Sequence, residues 1–284
     1  MLRERASRRL AGTPRPFLKW AGSKRALLPH IVAALPHAYG TYYEPFLGSA
    51  SLFFLLRPTR ALLTDSCPEL IESFKAVRDN VQAVLRYIRP LKPNRELFYT
   101  LRSQRSTGRY KRSAEFIYLN KTCWNGLYRV NSRGEFNVPY GRPSTDRVID
   151  EANLRTCSSA LGGPYVELRC CDFESALSNV SRGDLVFLDP PYVTRHNNNG
   201  FIDYNERLFS WADQLRLAGI ARSLADRGAH VIVANAYHQE IVELYEGFHV
   251  TRVDRFSTLA SKSSKRGIVT EAIFSPGGTE KARG

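Results

Sequence analysis

Residues 184–192 read Asp-Leu-Val-Phe-Leu-Asp-Pro-Pro-Tyr, an apolar run that ends in a carboxylate, two prolines and a tyrosine. The run of large apolar residues predicts a strand that is buried on both faces, as in a parallel sheet. The two prolines are expected to make the backbone rigid at this point, and the Pro190 carbonyl is left free to accept a hydrogen bond. The carboxyl ends of parallel strands are where α/β proteins bind ligands, although a strand followed by a proline-fixed turn can also be purely structural.

Outward from this strand, short runs of β-branched and aromatic residues alternate with helical patterns. Strands are predicted over 41–46, 61–65, 165–173, 184–192, 229–236, 248–256 and 270–275. Helices are predicted over 49–57, after Cys67 and over 210–228. This alternation predicts an α/β fold whose sheet is mostly parallel.

The helical segment 210–228 has the clearest boundaries. Ser210 and Asp213 have the spacing of a capping box, and Gly228 is expected to end the helix. An apolar stripe at helical spacing is expected to pack into the core, and it consists of Trp211, Leu215, Ala218 and Ile220.

The composition excludes several classes of protein. Apolar residues make up 43% and charged residues 24% of the 284 residues, as in an ordinary globular chain. No apolar run approaches the roughly 20 residues of a membrane span, and the basic N-terminus lacks the apolar stretch of a secretory signal. The 5 cysteines show no C-x-x-C spacing and the 6 histidines no paired-ligand spacing. We therefore expect a cytoplasmic protein without a metal site or a disulfide framework.

The positive charge of the chain is concentrated in two segments. Lys and Arg number 41 against 27 acidic residues, a formal net charge of +14. Residues 1–16 carry a net charge of +4 and residues 81–147 one of +10, so the remainder is neutral. This balance favours a polyanionic partner, nucleic acid before an acidic membrane surface. The codon bias of a GC-rich genome, or a basic face that is merely solvated, would give similar counts.

The alternation of strands and helices breaks between about residues 80 and 150, which indicates a second, smaller domain. The first part of this segment has amphipathic helical patterns. Its last part, 124–146, is rich in Gly, Asn and Pro, a composition typical of hairpins and loops.

Two further stretches carry candidate ligand-binding residues. Residues 44–51 read Glu-Pro-Phe-Leu-Gly-Ser-Ala-Ser, a strand end followed by small residues that let a ligand approach the backbone. About twenty residues later Asp65 ends the next strand, where an acidic side chain can bind ribose hydroxyls. Together they suggest a cofactor that contains adenosine. Residues 17–31 contribute Trp20 and Lys24, which could equally be a core aromatic residue and a solvated charge.

In their order along the chain, four segments resemble the Dam-type (D12 class) DNA adenine-N6 methyltransferases: 17–24, 44–51, 118–141 and 189–192. The resemblance covers about residues 16–275 and implies an α/β methyltransferase fold with S-adenosyl-methionine as the donor. It also implies the domains: a basic tail over 1–16, a catalytic domain over 17–80 and 148–276, a small, mainly helical DNA-recognition domain over 81–147, and a C-terminal tail over 277–284.

The resemblance further implies roles for individual residues. It assigns the cofactor to Trp20, Lys24, Glu44, Phe46, Gly48, Asp65, Asp172, Phe173 and Asp189. Within this set, Asp65 would hold the ribose, and Asp172 with Phe173 would contact the adenine of the cofactor. The residues that would act on the target base are Asp189, Pro190 and Tyr192.

The DNA-recognition residues of the family fall on Lys19, Asn125, Leu127, Arg129 and Pro139, which makes GATC the expected target. The chemistry agrees, because Arg suits the major-groove edge of guanine and apolar side chains suit a thymine methyl group. Two positions depart from the pattern of the family. Ala50 replaces a glycine of the cofactor turn, which is tolerable only if its φ is negative, and Trp124 replaces a Phe or Tyr. Both departures are expected to be benign.

The implied reaction needs no covalent intermediate. A flipped-out adenine would stack on Tyr192 while its amino group donates hydrogen bonds to the Asp189 carboxylate and the Pro190 carbonyl. Cytosine-C5 methylation is excluded because no cysteine follows a proline. Cytosine-N4 methylation, methylation of an amine on RNA or protein, and a catalytically silent DNA-binding protein stay open as alternatives.

The last expectations concern loops and partners. The polar loop 194–205 is expected to be mobile and to close over the flipped base. Lys262, Lys265 and Arg266 are expected either to touch phosphates or to be solvated. Duplex DNA is the expected partner of a monomeric chain, and a role beside a restriction endonuclease, a solitary role or a phage role would each fit.

Overall fold

The computed structural model of the chain describes residues 13–20, 24, 27–192, 209–256 and 268–277. Its strands are β1 (Tyr42–Glu44), β2 (Arg60–Asp65), β3 (Tyr165–Cys170), β4 (Leu185–Leu188), β5 (His230–Ala236), β6 (Phe248–Phe256) and β7 (Ile268–Pro276). The helices are α1 (Leu28–Ala34), α2 (Ser51–Leu56), α3 (Pro68–Ile88), α4 (Arg95–Ser103), α5 (Arg109–Thr122), α6 (Glu151–Leu161), α7 (Phe173–Leu177), α8 (Trp211–Asp226) and α9 (Gln239–Leu244). In the described part of the chain, no helix combines the length and the apolar character that crossing a membrane requires.

The strands form a seven-stranded sheet in the order β3-β2-β1-β4-β5-β7-β6. The pairs β1–β4, β4–β5 and β2–β3 are parallel, while β7 runs antiparallel to both β5 and β6. The predicted α/β fold with a mostly parallel sheet is therefore confirmed. Three strands are clearly shorter than predicted. The first, β1, covers only Tyr42–Glu44, β3 ends at Cys170 because Asp172 caps α7, and β4 ends at Leu188, just before the Asp189–Tyr192 turn.

The described residues fall into two compact units. One comprises 27–46, 172–192, 209–256 and 268–277 and contains β1 and β4–β7. The other comprises 13–20, 24 and 47–171 and contains β2, β3 and helices α2–α6. The division into a catalytic domain and a recognition domain over 81–147 stays a prediction.

In the first unit, β4 is buried on both faces, as its sequence predicts. The capping box of α8 is confirmed, because Asp213 N–H donates to Ser210 Oγ (3.2 Å) and Ser210 N–H donates to Asp213 Oδ2 (2.8 Å). The helix ends before Gly228, which has a φ of +88°.

The predicted apolar stripe of α8 is wrong. Leu215 is 49% exposed, and Trp211 and Ile220 are partly exposed, so only Ala218 of the four lies in the core. The face that packs inward consists of Gln214, Leu217, Ala218, Ala221 and Leu224. The prediction failed because this face begins at a polar residue, which a search for apolar spacing passes over.

In the second unit, the long helix α3 bends at Asn80, whose φ is −155° and ψ is 81°. Residues 81–147 continue with the end of α3, then α4, α5 and a short 3-10 helix, Trp124–Gly126. Bridges between Cys123 and Tyr140 and between Val130 and Phe136 then fold the Gly- and Asn-rich stretch into a hairpin. The segment begins with helices, as its amphipathic patterns predict, and its last part forms a hairpin, one of the two structures that its composition allows.

Candidate functional site

The turn Asp189–Tyr192 follows β4 directly. One carboxylate oxygen of Asp189 and the hydroxyl of Tyr192 are buried, and Pro190 is buried as well. The Pro191 carbonyl accepts a hydrogen bond from Gln214 Nε2 at 3.4 Å. The turn is therefore tied to the buried face of α8, through a residue that sequence analysis missed.

The carboxyl ends of β1 and β4 lie at one edge of the sheet, because these strands are parallel and Tyr42 pairs with Leu185. Glu44, which is 3% exposed, accepts a hydrogen bond from the Tyr42 hydroxyl at 2.9 Å. Burial, followed by the Glu44 carboxylate, raises the pKa of Tyr42 well above its usual value, and the charge of Asp189 contributes in the same direction. Glu44 and Tyr42 are thus bonded in a buried pair, and the register of β1 on β4 places Asp189 at the same end of the two strands.

Three phenylalanine rings form a cluster in the same unit. The centroid of Phe46 lies 5.5 Å from that of Phe173 and 5.6 Å from that of Phe209. Arg216 of α8 lies over the Phe173 ring at 4.3 Å and donates to Asp172 at 3.0 Å. Phe209 and Arg216 were missed, although Phe209 immediately precedes the N-cap of α8, where a hydrophobic staple residue is common.

In the second unit, the turn after residue 46 is built around Gly48. Its φ is +47°, and a Cβ at this position would lie 2.9 Å from Trp20 Cδ1. The Gly48 and Cys67 N–H groups donate to the two Asp65 carboxylate oxygens at 3.1 and 3.0 Å. Burial nevertheless raises the pKa of Asp65 to about 6, against the lowering effect of these bonds. Trp20, Gly48 and Asp65 therefore lie together, and their role at a cofactor stays a prediction.

Lys24 is 6% exposed, so the alternative of a solvated charge does not apply to it, and its place at the cofactor stays a prediction. One expectation about the turn is wrong. Ala50 has a positive φ of 57° and a ψ of 34°, because it closes the turn by donating to the Leu47 carbonyl (2.7 Å) and then begins α2. The conformation that a glycine would adopt without strain is retained here by an alanine.

The five predicted DNA-recognition residues all lie in the second unit, on backbone segments that are joined by hydrogen bonds. Lys19 and Asn120 exchange hydrogen bonds, since Lys19 N–H donates to Asn120 Oδ1 at 2.8 Å and Asn120 Nδ2 donates to the Lys19 carbonyl at 2.5 Å. A Cβ on Gly126 would lie 2.3 Å from Lys19 Cβ, and the φ of Gly126 is +65°. Only a glycine lets residues 125–127 pass so close to Lys19.

The hairpin presents the remaining members of this set. Trp124 N–H donates to the Pro139 carbonyl at 2.9 Å, and Arg129 Nε donates to Asn137 Oδ1 at 2.8 Å. Lys19, Asn125, Arg129 and Pro139 are exposed, whereas Leu127 is half-buried. The four exposed side chains are accessible to a macromolecular ligand.

Part of the positive charge of 81–147 is neutralised within the second unit. Ion pairs to carboxylates outside this segment join Arg89 to Glu151, Arg105 and Arg112 to Glu69, and Arg109 to Asp79. Among the described residues, no group of three or more His, Cys, Asp or Glu could hold a metal ion.

An α/β sheet whose buried central strand ends in an Asp-Pro-Pro-Tyr turn is characteristic of α/β methyltransferases. The family model of the D12 class N6 adenine-specific DNA methyltransferases matches residues 20–259, and the chain belongs to this family. The predictions of the family, of N6-adenine chemistry and of DNA as the substrate are thereby confirmed.

Individual relatives agree along nearly the whole chain. The chain is 35% identical over 267 residues to the type II methyltransferase M1.LlaDCHI of Lactococcus lactis subsp. cremoris, covering 91% of this chain and 94% of the relative. It is 36% identical over 276 residues to the type II methyltransferase M.MjaIII of Methanocaldococcus jannaschii, covering 89% and 95%. It is 32% identical over 270 residues to the DNA adenine methylase of Haemophilus influenzae, covering 91% and 92%.

Some predictions fall outside the described residues. These are the closing loop 194–205 and the phosphate contacts of Lys262, Lys265 and Arg266. They stay predictions.

Proposed function

We propose that the chain transfers a methyl group from S-adenosyl-methionine to N6 of a flipped-out adenine in duplex DNA, with GATC as the target sequence. The observation that carries this proposal is the position of Asp189, directly after the buried strand β4 and beside the Tyr42–Glu44 pair. A carboxylate at this edge of a parallel sheet lies where substrates bind in α/β folds.

The residues present fit S-adenosyl-methionine, which supplies an activated sulfonium methyl group when bound. The two N–H groups that hold Asp65 orient its carboxylate, which is suited to accept the ribose hydroxyls. Gly48 leaves room for a ligand beside the backbone because it has no side chain. The full proposed set is Trp20, Lys24, Glu44, Phe46, Gly48, Asp65, Asp172, Phe173 and Asp189.

The phenylalanine cluster and the neighbouring Asp172 fit the adenine of S-adenosyl-methionine. Phe46 and Phe173 offer ring faces on which an adenine can stack. Asp172 accepts from Glu174 N–H and from Arg216, so its carboxylate is held in a fixed orientation from which it can accept a further hydrogen bond from an amino group.

The target adenine would be acted on by Asp189, Pro190 and Tyr192. An adenine amine is a weak nucleophile because its lone pair is delocalised into the ring. Hydrogen bonds from its two N–H groups to the Asp189 carboxylate and the Pro190 carbonyl would localise the pair and stabilise the positive charge that develops on nitrogen. Tyr192 would stack on the extruded base and replace part of the stacking lost from the duplex, whose cost is a few kcal/mol.

The exposed set Lys19, Asn125, Leu127, Arg129 and Pro139 would read the sequence. The bond from Arg129 Nε to Asn137 orients the guanidinium group, whose terminal nitrogens suit guanine O6 and N7. Leu127 and Pro139 are apolar and suit a thymine methyl group. A relative named DNA adenine methylase supports adenine as the base that is modified.

The test is transfer of labelled methyl groups from S-adenosyl-methionine to duplex DNA, followed by nucleoside analysis and by digestion with a GATC-cutting nuclease. We expect N6-methyladenine and protection from cleavage. N6-methyladenine without protection would reject GATC and keep the reaction. Asp189→Ala is expected to abolish transfer and retain DNA binding, whereas the exposed control Asp146→Asn should behave as the wild type. Unchanged transfer by Asp189→Ala would reject the proposed mechanism.

Two relatives are named type II methyltransferases, which supports a role beside a restriction endonuclease. Cleavage of unmethylated but not of methylated DNA by an extract of the source cells would test this role. Sedimentation of the purified chain as a single monomeric species would test the monomer expected from the sequence.

A further inference from the structure

The Asp189–Tyr192 turn has an unusual shortage of backbone donors. Neither Pro190 nor Pro191 has an N–H group, so the backbone in the middle of the turn can form hydrogen bonds only through its carbonyl oxygens. The Pro191 carbonyl is held by Gln214 Nε2, at 3.4 Å. The adjacent Pro190 carbonyl is the one that the proposed reaction uses.

Gln214 is a polar residue on an otherwise apolar, buried face of α8. It is 0% exposed and begins the buried face of α8, which otherwise consists of Leu217, Ala218, Ala221 and Leu224. Burying a side-chain amide without partners costs free energy, so a buried glutamine in such a face is expected to have both ends bonded. Gln214 does, since its nitrogen donates to Pro191 and its oxygen accepts from Asn235.

Asn235 decides which end of the Gln214 amide faces the turn. Asn235 is also 0% exposed, and its Nδ2 donates to Gln214 Oε1 at 3.2 Å. Its own Oδ1 accepts from Ala236 N–H at 2.8 Å, which fixes the orientation of the Asn235 amide. Because an amide oxygen and nitrogen have nearly the same shape, only this donor–acceptor order ensures that an N–H of Gln214 points at the Pro191 carbonyl.

We propose that Gln214, oriented by Asn235, is a positioning residue for methyl transfer. It holds the Pro191 carbonyl and thereby fixes the direction in which Asp189 and the Pro190 carbonyl point at the target amine. A displacement of about 1 Å in a reacting geometry can cost on the order of a hundredfold in rate. The inference rests on the proposed role of Asp189, Pro190 and Tyr192.

The test separates positioning from packing with two variants of Gln214. Gln214→Met and Gln214→Leu each fill the site with an apolar side chain of similar size and remove both hydrogen bonds. Leu224→Val, on the same buried face, is the control for a packing defect. The measurements are the single-turnover rate of methyl transfer and the dissociation constants for duplex DNA and for S-adenosyl-homocysteine.

We expect both Gln214 variants to lose tenfold to a hundredfold in single-turnover rate, in keeping with a misplaced reacting group. Both dissociation constants should stay within about twofold of the wild type, because neither ligand is held by Gln214. Leu224→Val should keep its rate. The proposal is overturned if Gln214→Met transfers methyl groups within twofold of the wild-type rate, or if the control loses as much.

The role of Asn235 is tested through non-additivity and through a readout that does not need activity. Asn235→Leu, combined with Gln214→Met, should be no slower than Gln214→Met alone if the two amides act as one unit. In ¹⁵N spectra, the side-chain amide of Gln214 should exchange slowly in the wild type and faster in Asn235→Leu. A fast-exchanging Gln214 amide in the wild type would overturn the proposal that Asn235 orients Gln214. A slow one in a chain that methylates no adenine would instead reject the proposed function alone.

Discussion

Ala50 occupies a left-handed backbone conformation in which its Cβ costs roughly 1–2 kcal/mol. We expect Ala50→Gly to raise the free energy of unfolding by about 0.5–1 kcal/mol, since the relief of strain is partly offset by a freer unfolded chain. Urea denaturation measures the change. Gly48→Ala is the matched opposite: with a φ of +47° and Trp20 Cδ1 only 2.9 Å from the new Cβ, it should destabilise the chain. A destabilised Ala50→Gly would contradict the strain at this position.

As the proposed ribose ligand, Asp65 would make the affinity for the cofactor depend on pH. Burial raises its pKa from 3.8 to about 6, so its carboxylate is mostly protonated at pH 5 and ionised at pH 7. The folded state holds this proton more tightly than the unfolded chain, so the fold loses stability as the pH rises from 3.8 to about 6. A ribose diol, however, donates better to the ionised form.

We therefore expect S-adenosyl-homocysteine to bind several-fold more tightly at pH 7 than at pH 5, with a midpoint near the pKa of about 6. Isothermal titration across this range measures the dissociation constant. In Asp65→Asn the affinity should be weaker and flat, since an amide does not titrate. Equal pH profiles for both proteins would show that another group is responsible.

Arg129 is expected to choose a base rather than to provide affinity in general. Arg129→Ala should relax the preference for guanine by roughly 1–3 kcal/mol at one base pair, because a forked contact is lost there. The measurement is the ratio of kcat/KM on GATC and on sites substituted at each position. A uniform loss on every sequence would place Arg129 at the phosphates instead.

At the scale of single elements, the N-cap of α8 carries a measurable part of the stability. Ser210→Ala removes the acceptor for Asp213 N–H and one half of the capping box. We expect the free energy of unfolding to fall by about 1 kcal/mol. Thr156→Ala provides the control, because it removes an exposed hydroxyl bonded only to a carbonyl within α6, and it should change stability by less than about 0.5 kcal/mol. Equal losses in the two variants would show that the cap adds nothing beyond helix propensity.

The elements that sequence reasoning found are those whose signal is local. The strands, the capping box at Ser210 and the hairpin after Trp124 each depend on neighbouring residues, and each is present. The buried face of α8 was missed because a distant partner, Asn235, makes a glutamine acceptable in the core. The sign of φ at Ala50 was missed for a related reason, since the turn is imposed by the chain around it and no property of alanine reveals it.

The candidate site shows the same limit. Motifs nominated Asp189, Gly48 and Asp65, because the first two follow strands and the third ends one, each in a recognisable stretch. Residues that act through a partner, such as Arg216 over Phe173, come from a different part of the chain and have no motif of their own. Physical contact, rather than spacing, identifies them.

At the scale of the whole molecule, the net charge of +10 over residues 81–147 overstates the charge that this segment presents to DNA, because several of its arginines pair with carboxylates outside it. Arg89 donates from Nε and Nη2 to the two carboxylate oxygens of Glu151, at 2.9 and 2.8 Å, and Arg105, Arg109 and Arg112 have carboxylate partners as well. Arg133, near the tip of the hairpin, is exposed and makes no ion pair among the described residues. Its position in the segment that carries Arg129 leaves it free to approach a phosphate.

Binding of DNA should therefore weaken with salt in a way that distinguishes these two arginines. Each phosphate contact contributes about 0.9 to the slope of log affinity against log salt concentration. Arg133→Ala should weaken binding to every sequence and make the slope shallower by about 0.9, since one contact is lost. Arg89→Ala removes the same formal charge but breaks an internal ion pair, so it should leave the slope unchanged. Fluorescence anisotropy between 50 and 200 mM salt, roughly the range over which counterion release is resolved, measures both. If the two variants change the slope equally, the net charge of the chain, rather than the placement of individual arginines, governs the salt dependence of its affinity for DNA.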